Sequence, residues 1–405
     1  MNAVGHVCLG PHHIHFDTRN SGGEATHAGA ALLTGKRRLS YLTASIAILM
    51  AGNGLRGIPT SAAATDVLLF RDDCNGFTGP FVVTNPDGSG RRLLPPIHAQ
   101  TPDDLSRGAP AMDALAVARN PDGTGPLRLF ALTIDRASSG QIVPGPAWRA
   151  LDDSAIAEPT GIPPGGAVFR PGGEHIVFIG RPAGSTGVGT HVYIADVVRD
   201  ADGHAASLAG LTFVLDLRTL GVPGDSSHPQ SEVGGVDLSP DGTKLLAVIY
   251  DDIWLIGLNP AAWVVTGATN LTRTPDFVEK NPRWSPAADA IAFTGGMYAE
   301  LSGRWYYPSD TSVYTLSPST GVVQQITTKT THKGTMPAAE YPSWSPTGAH
   351  LVYSARPGGF GPRNSPCGNS VNYDLYRILA TGTQKTLNVT NTAGIGVEIA
   401  PRWGW

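Results

Sequence analysis

Three stretches of this chain repeat one pattern. They are Asn281-Pro-Arg-Trp-Ser-Pro286, Tyr341-Pro-Ser-Trp-Ser-Pro346 and Ala400-Pro-Arg-Trp403. The tryptophans stand at 284, 344 and 403, so the period is about sixty residues. Val236-Asp-Leu-Ser-Pro-Asp-Gly242 is a fourth copy with Leu238 in the tryptophan place, and Ala167-Val-Phe-Arg-Pro-Gly-Gly173 a fifth with Phe169 there. A repeat of this kind constrains the fold more than any other feature, because each copy must be one supersecondary unit stacked on the next.

Each copy is followed by the same succession of short apolar runs. The first comprises Ile176–Ile179, Leu245–Ile249, Ile291–Phe293 and Leu351–Tyr353. A second run follows a loop of variable length: Val192–Ile194, Ile253–Ile256, Val313–Leu316 and Leu375–Ile378. A Gly-containing turn then leads to a third run ending Asn270-Leu-Thr272, Gln325-Ile-Thr327 or Asn388-Val-Thr390. With the repeat itself, that makes four short strands per unit, joined as hairpins. A four-stranded sheet that is apolar on both faces cannot stand alone. Radial stacking about an axis buries both faces and leaves only short edges. High glycine (50) and proline (33) in a chain that is 41% apolar fit many short strands and tight turns, and exclude both collagen and disorder.

The order Pro-x-Trp-Ser-Pro-Asp-Gly, apolar strand, Arg-containing loop, Ile-Tyr strand and Leu-Thr resembles the repeat of TolB-type propellers. The resemblance covers residues 65–405 and implies an all-β, six-bladed β-propeller. Val67-Leu-Leu-Phe70 reads as a second strand with no inner strand before it, and Val397–Trp405 as an inner strand with nothing after it. The two fragments complement each other, so the C-terminal strand is expected to close the ring. Blade two, about 108–150, is the most degenerate copy; spacing places Met112 in its aromatic position, with Leu115-Ala-Val117 following. The α/β domain that TolB carries ahead of its propeller has no counterpart between Ala64 and Val67, so the resemblance does not imply a place in the Tol system.

Residues 1–64 differ in kind. Lys36-Arg37-Arg38 precedes a largely apolar run, Leu39–Met50, and then Ala62-Ala63-Ala64. This is the layout of a secretory signal peptide over 36–64, with a run too short to span a bilayer. Thirty-five residues ahead of the basic cluster suggest a true start near Leu32 or Leu33 and a mature chain from near Thr65. Cys8, His12, His13 and His15 lie close enough to bind a metal, yet fall in the leader. No metal or cofactor is expected. The mature chain is expected to be periplasmic or secreted from a bacterium, monomeric, and without an integral membrane segment. A net charge of −4 offers no nucleic-acid surface.

No G-x-S-x-G, H-E-x-x-H, Walker A or G-x-G-x-x-G pattern occurs. Asp200-Ala-Asp202-Gly203 reads as a turn, and the pairs Asp72-Asp73 and Asp251-Asp252 as solvated loop carboxylates. Function is expected on the face carrying the loops between second and third strands. Arg71, Arg119, Arg181 and Arg356 begin such loops, either as an anion-binding ring or as part of the repeat. The loops 295–312 and 355–374 are the longest. They carry Arg304, Trp305, Tyr306, Tyr307, Arg363 and Tyr373, residue types suited to contacts with a protein, a peptide or a glycan. The opposite face, made of Ser-Pro turns, should be short and regular. Once the leader is removed, Cys74 and Cys367 remain. They fall in neighbouring blades on one face, and export favours a disulfide between them. These features describe an exported binding scaffold with a protein or peptide ligand. The alternative is a propeller enzyme, a glycan lyase or hydrolase, with its active site in the axial channel.

Overall fold

A computed structural model of the chain describes residues 66–72, 80–99, 102–119, 123, 126–151, 157–159, 166–182, 185, 189–221, 233–301, 304–306, 311–328, 338–355, 373–392 and 398–405. Their strands form six antiparallel blade sheets, each running from an inner strand to an outer one, and one two-stranded hairpin. Blade four shows the plan: Val233–Leu238, Lys244–Ile249, Asp252–Asn259 and Val264–Asn270, each paired with the next. In blade one the inner strand is Glu398–Gly404, which pairs antiparallel with Val67–Asp72, Leu68 facing Trp403. The ring therefore closes with the C-terminal strand.

Alternation along the strands explains why six sheets make one body. Successive residues point to opposite faces, and each face meets a different neighbour. Leu68 and Phe70 pack with Val352, Leu375 and Trp403 of the blade six–one interface, while Val67 and Leu69 pack with Leu105 and Ala114 of blade two. Six apolar clusters result, one at each blade interface. The repeat residues Trp284, Trp344, Trp403, Phe169 and Leu238 are buried, one in each of five interfaces. Each contributes roughly 1.5–3 kcal/mol by leaving water.

In blade two the sixth such position is Leu105, in the short inner strand Asp104–Leu105. Met112 instead opens the second strand, Met112–Ala118. The expectation that Met112 fills the aromatic place is thus corrected. Asp104-Leu105-Ser106 copies Asp237-Leu238-Ser239, and without an aromatic or a proline the copy escapes notice.

The other repeat residues also have structural tasks. In the turn after the inner strand, Ser239 Oγ accepts from Lys244 N at 2.9 Å and donates to Asp241 at 2.6 Å, and Gly242 takes φ +73°. The threonine that ends each unit holds the third strand. Thr272, Thr327 and Thr390 each accept, through Oγ1, from the backbone N of Ile253, Val313 and Leu375 at 2.9–3.0 Å. The residue before the repeat proline is left-handed in three blades, Asn281 at φ +53°, Tyr341 at +60° and Ala400 at +55°. The strand register slips there. Proline cannot donate to the ladder, and a bulge absorbs the break.

At the turn end of the axis the inner strands meet in an ionic plug. The residue before the aromatic position is, from blade one to six, Arg402, Asp104, Val168, Asp237, Arg283 and Ser343. Blades two, four and six supply acceptors to the amide of the next blade. Asp104 takes Phe169 N at 2.9 Å, Asp237 takes Trp284 N at 2.8 Å, and Ser343 takes Trp403 N at 2.9 Å. Arg107 grips Asp237 with both terminal nitrogens, at 2.7 and 3.4 Å. Arg283 and Arg402 both donate to the carbonyl of Asp103, at 3.1 and 2.7 Å. All these side chains are buried.

Candidate functional site

The inner strands begin at the opposite end of the axis, beside the second-to-third-strand loops. Here some polar groups repeat, Glu279 with Glu398 and Asp252 with Asp374, while others differ from blade to blade. Glu279, Lys280, Glu340 and Tyr341 come from the bulged stretches of blades five and six. Two adjacent left-handed residues, Tyr250 at φ +51° and Asp251 at +63°, make the hairpin turn of blade four. That turn buries Asp251, which accepts from Tyr298 Oη at 2.6 Å. Asp251 is therefore not the solvated carboxylate its sequence position suggests. Its neighbour Asp252 takes Asn270 Nδ2 at 2.7 Å and Thr274 N at 3.0 Å, fastening the blade connection.

Burial shifts the titration of this end. It pushes the Glu279 carboxyl up to about 9, with Asp252 and Asp251 adding to the rise and the Thr274 hydroxyl, at 2.5 Å, opposing it. Burial also lowers the Lys280 amine, against the pull of Asp251 and Glu340. The Tyr341 phenol is raised by burial, then by Glu340 and Tyr373, while Arg402 and Arg71 act in the opposite sense. Tyr341 is held by Thr294 Oγ1, which accepts from its backbone N at 3.0 Å, and Glu340 takes Thr311 Oγ1 at 3.2 Å.

Of the residues expected from sequence, Arg71 and Tyr373 thus come together electrostatically around Tyr341. Arg71 is 5% exposed, so it acts within the protein rather than on an open rim. Arg181 is half-buried in the strand His175–Pro182, opposite Glu158, and Arg119 forms an isolated bridge with His98. Arg304, Trp305 and Tyr306 lie on a small hairpin, Ala299–Leu301 with Arg304–Tyr306, that the long loop builds for itself. Tyr307, Arg356, Arg363, Cys74, Cys367 and the leader lie outside the described residues. Sequence reasoning missed Lys280, Glu340 and Tyr341. The available signal was variation inside a repeat: the place before the proline is Asn281, Tyr341 or Ala400 while its neighbours hold.

The turn face departs from expectation. Short, regular turns predict a plain surface, yet two adjoining clefts open there, with volumes of about 790 and 660 Å³. Trp405 and Arg136 line both. In the second cleft His204 sits between two carboxylates, Nδ1 3.0 Å from Asp113 and Nε2 3.0 Å from Asp135. Burial disfavours its charge, but the two carboxylates outweigh burial and raise its pKa. Asp200-Ala-Asp202-Gly203 is a turn closed by Gly203 N on the Asp200 carbonyl at 3.1 Å. Among the described residues no cluster of three or more His, Cys, Asp or Glu side chains is arranged for a metal, and no helix is long and apolar enough to cross a membrane.

A ring of six four-stranded blades closed by its last strand, with polar groups gathered at both ends of the axis, defines a TolB-like β-propeller. TolB from Acinetobacter baumannii superposes with a TM-score of 0.52 at 13% identity, over 84% of this chain and 67% of that one. At that identity the likeness is one of fold. A structure titled as a nidogen/laminin complex gives 0.46 at 9% identity over 84% and 98% of the two chains. A puromycin-hydrolysing peptidase from Mycobacterium tuberculosis gives 0.41 at 13%, over 81% and 52%. No family model matches the chain, and no curated protein matches it in sequence.

Proposed function

We propose that this chain is an exported, non-catalytic binding scaffold that takes a protein or peptide on the face of the second-to-third-strand loops. One observation supports it most. The loop end of the axis carries half-buried Lys280, Glu340, Tyr341 and Tyr373, polar groups that the repeat does not require, beside the hairpin bearing Trp305. Mixed aromatic and charged side chains over a rigid base suit partly desolvated contacts with a polypeptide. Export rests on the signal-peptide layout of residues 36–64, which places the mature propeller, 65–405, in the periplasm or outside the cell.

The test begins with capture of a ligand from envelope extract by the intact chain and by a chain lacking residues 295–312. Against the captured ligand, Trp305→Ala and Tyr307→Ala should each weaken binding by about 1 kcal/mol or more, while Asp241→Ala in a turn leaves it intact. Loss with Asp241→Ala but not with the aromatic variants would put the site on the other face.

A second reading, an enzyme acting on a glycan from the axial channel, draws on adjacent Glu279 and Lys280, whose titrations are displaced in opposite directions. It requires turnover that Glu279→Gln abolishes. Binding without turnover favours the scaffold.

A further inference from the structure

We propose that the turn face carries a groove for a neutral oligosaccharide, centred on Trp405. The inference is independent of the loop-face reading, because it concerns the other end of the molecule. The first cleft lies at the seam of blades six, one and two, and the second passes from blade one across two to three. The two meet at Trp405, whose side chain is only part-buried. Together they form one elongated depression with the Trp405 indole where the arms join, and Trp403 also lines the first arm.

The walls decide the ligand class. In the first cleft Arg377 and His350 line the space, and neither side chain has a hydrogen-bond or ion-pair partner among the described residues. Arg377 acts through its charge on both His350 and Asp87, which places these groups near one another. Asp87 and Asn85 face the same space and supply acceptors and a further donor. The second cleft pairs Arg149 with Asp200 at 3.1 Å and places His204 against Asp135. Opposite charges are thus interspersed along both arms, so neither arm favours a strongly charged ligand. Donors and acceptors run along both arms beside apolar wall, which Trp405 and the turn prolines supply in the first and Val67, Met112 and Ile134 in the second. A hydroxyl is donor and acceptor at once, and a pyranose ring offers an apolar C–H face to an indole. A chain of uncharged sugars satisfies both demands. A peptide would bring backbone groups that each need a partner, and a nucleic acid would meet Asp66, Asp87, Asp135 and Asp202.

The experiment is calorimetric titration of the full chain with cellohexaose, maltohexaose and N-acetylated chitohexaose, and with an alginate hexamer as the acidic comparator. At least one neutral hexamer should bind, with little change in high salt. Trp405→Ala should weaken it about tenfold or more. Arg377→Ala, which breaks no hydrogen bond or ion pair among the described residues, should weaken it about fivefold with a nearly unchanged melting temperature. The proposal fails if no neutral hexamer binds at millimolar concentration, or if only alginate binds. It fails also if binding survives both substitutions unaltered. Loss of loop-face peptide binding in Trp305→Ala with saccharide binding retained would show the two sites to be separate; loss of both together would overturn the assignment to the turn face.

Discussion

The two ends of the propeller axis are built from similar residues to different effect. At the turn end, Asp104, Asp237, Arg107, Arg283 and Arg402 occupy corresponding places in successive blades or bond to those that do, and the carboxylates cap amides of the next inner strand. At the loop end, Lys280 and Glu340 fill one strand position with opposite charges, and Tyr341 stands where blade five has Asn281 and blade one Ala400. The first arrangement follows the repeat and closes the ring. The second varies between blades at Lys280, Glu340 and Tyr341, and burial pushes the Glu279 carboxyl up to about 9, as it also raises Glu398 at the same place in blade one. Polar burial that the symmetry demands is a matter of assembly, whereas polar burial that breaks symmetry costs stability without serving the fold, which is where functional groups are found.

Substitution can break this contrast at several strengths. The largest effect should come from removing Glu398–Gly404, which strips blade one of its inner strand and exposes two sheet edges. The product should be aggregated or unfolded by gel filtration; a monomer with an unchanged melting temperature would contradict the closure. Asp237→Ala should be next. It leaves Arg107 without its buried carboxylate and Trp284 N without an acceptor, and should destabilise by about 3–5 kcal/mol in denaturant titration. Asp237→Asn should cost less, since it keeps an acceptor.

The loop end has no such plug, and a Cys74–Cys367 bridge would secure its seam instead. Mass spectrometry after alkylation, with and without reductant, should show both thiols protected until reduced. Reduction should then lower stability by about 2–4 kcal/mol. Free thiols in the native protein would leave that seam unpinned.

The smallest effect should have the opposite sign. A carboxyl whose folded pKa is raised binds a proton more readily in the folded state than in the unfolded one. Its burial is harmless near pH 4 and becomes destabilising as pH rises past the unfolded value towards about 9. Glu279→Gln should therefore raise the melting temperature at pH 8 and leave it nearly unchanged at pH 4. Equal shifts at both pH values would show that Glu279 is not held protonated.

Much of the architecture was readable because the repeat carries its own structural reasons. Trp284, Ser285 and Pro282 recur since an interface, a turn and a bulge each need them, and a closing strand could be recognised by what blade one lacked. Blade two was misplaced at Met112 because Leu105 does the same packing without the aromatic or the proline that made the other copies visible. The loop-end groups were harder to see. Lys280 and Tyr341 acquire their properties from Asp251, Glu340 and Arg71 in other blades, and no local pattern encodes those distances. The turn-face clefts were hidden for a related reason. Short turns predict a flat surface when taken singly, but the gaps between turns of adjacent blades depend on how the blades splay around Trp405.

The plug also sets a rule of parity. Acceptors in blades two, four and six serve amides in blades three, five and one. A ring with an odd number of blades would have to set two acceptor blades side by side or leave one amide unserved on the axis. Inserting or removing one blade would therefore break the alternation at one seam, whereas a pair would preserve it.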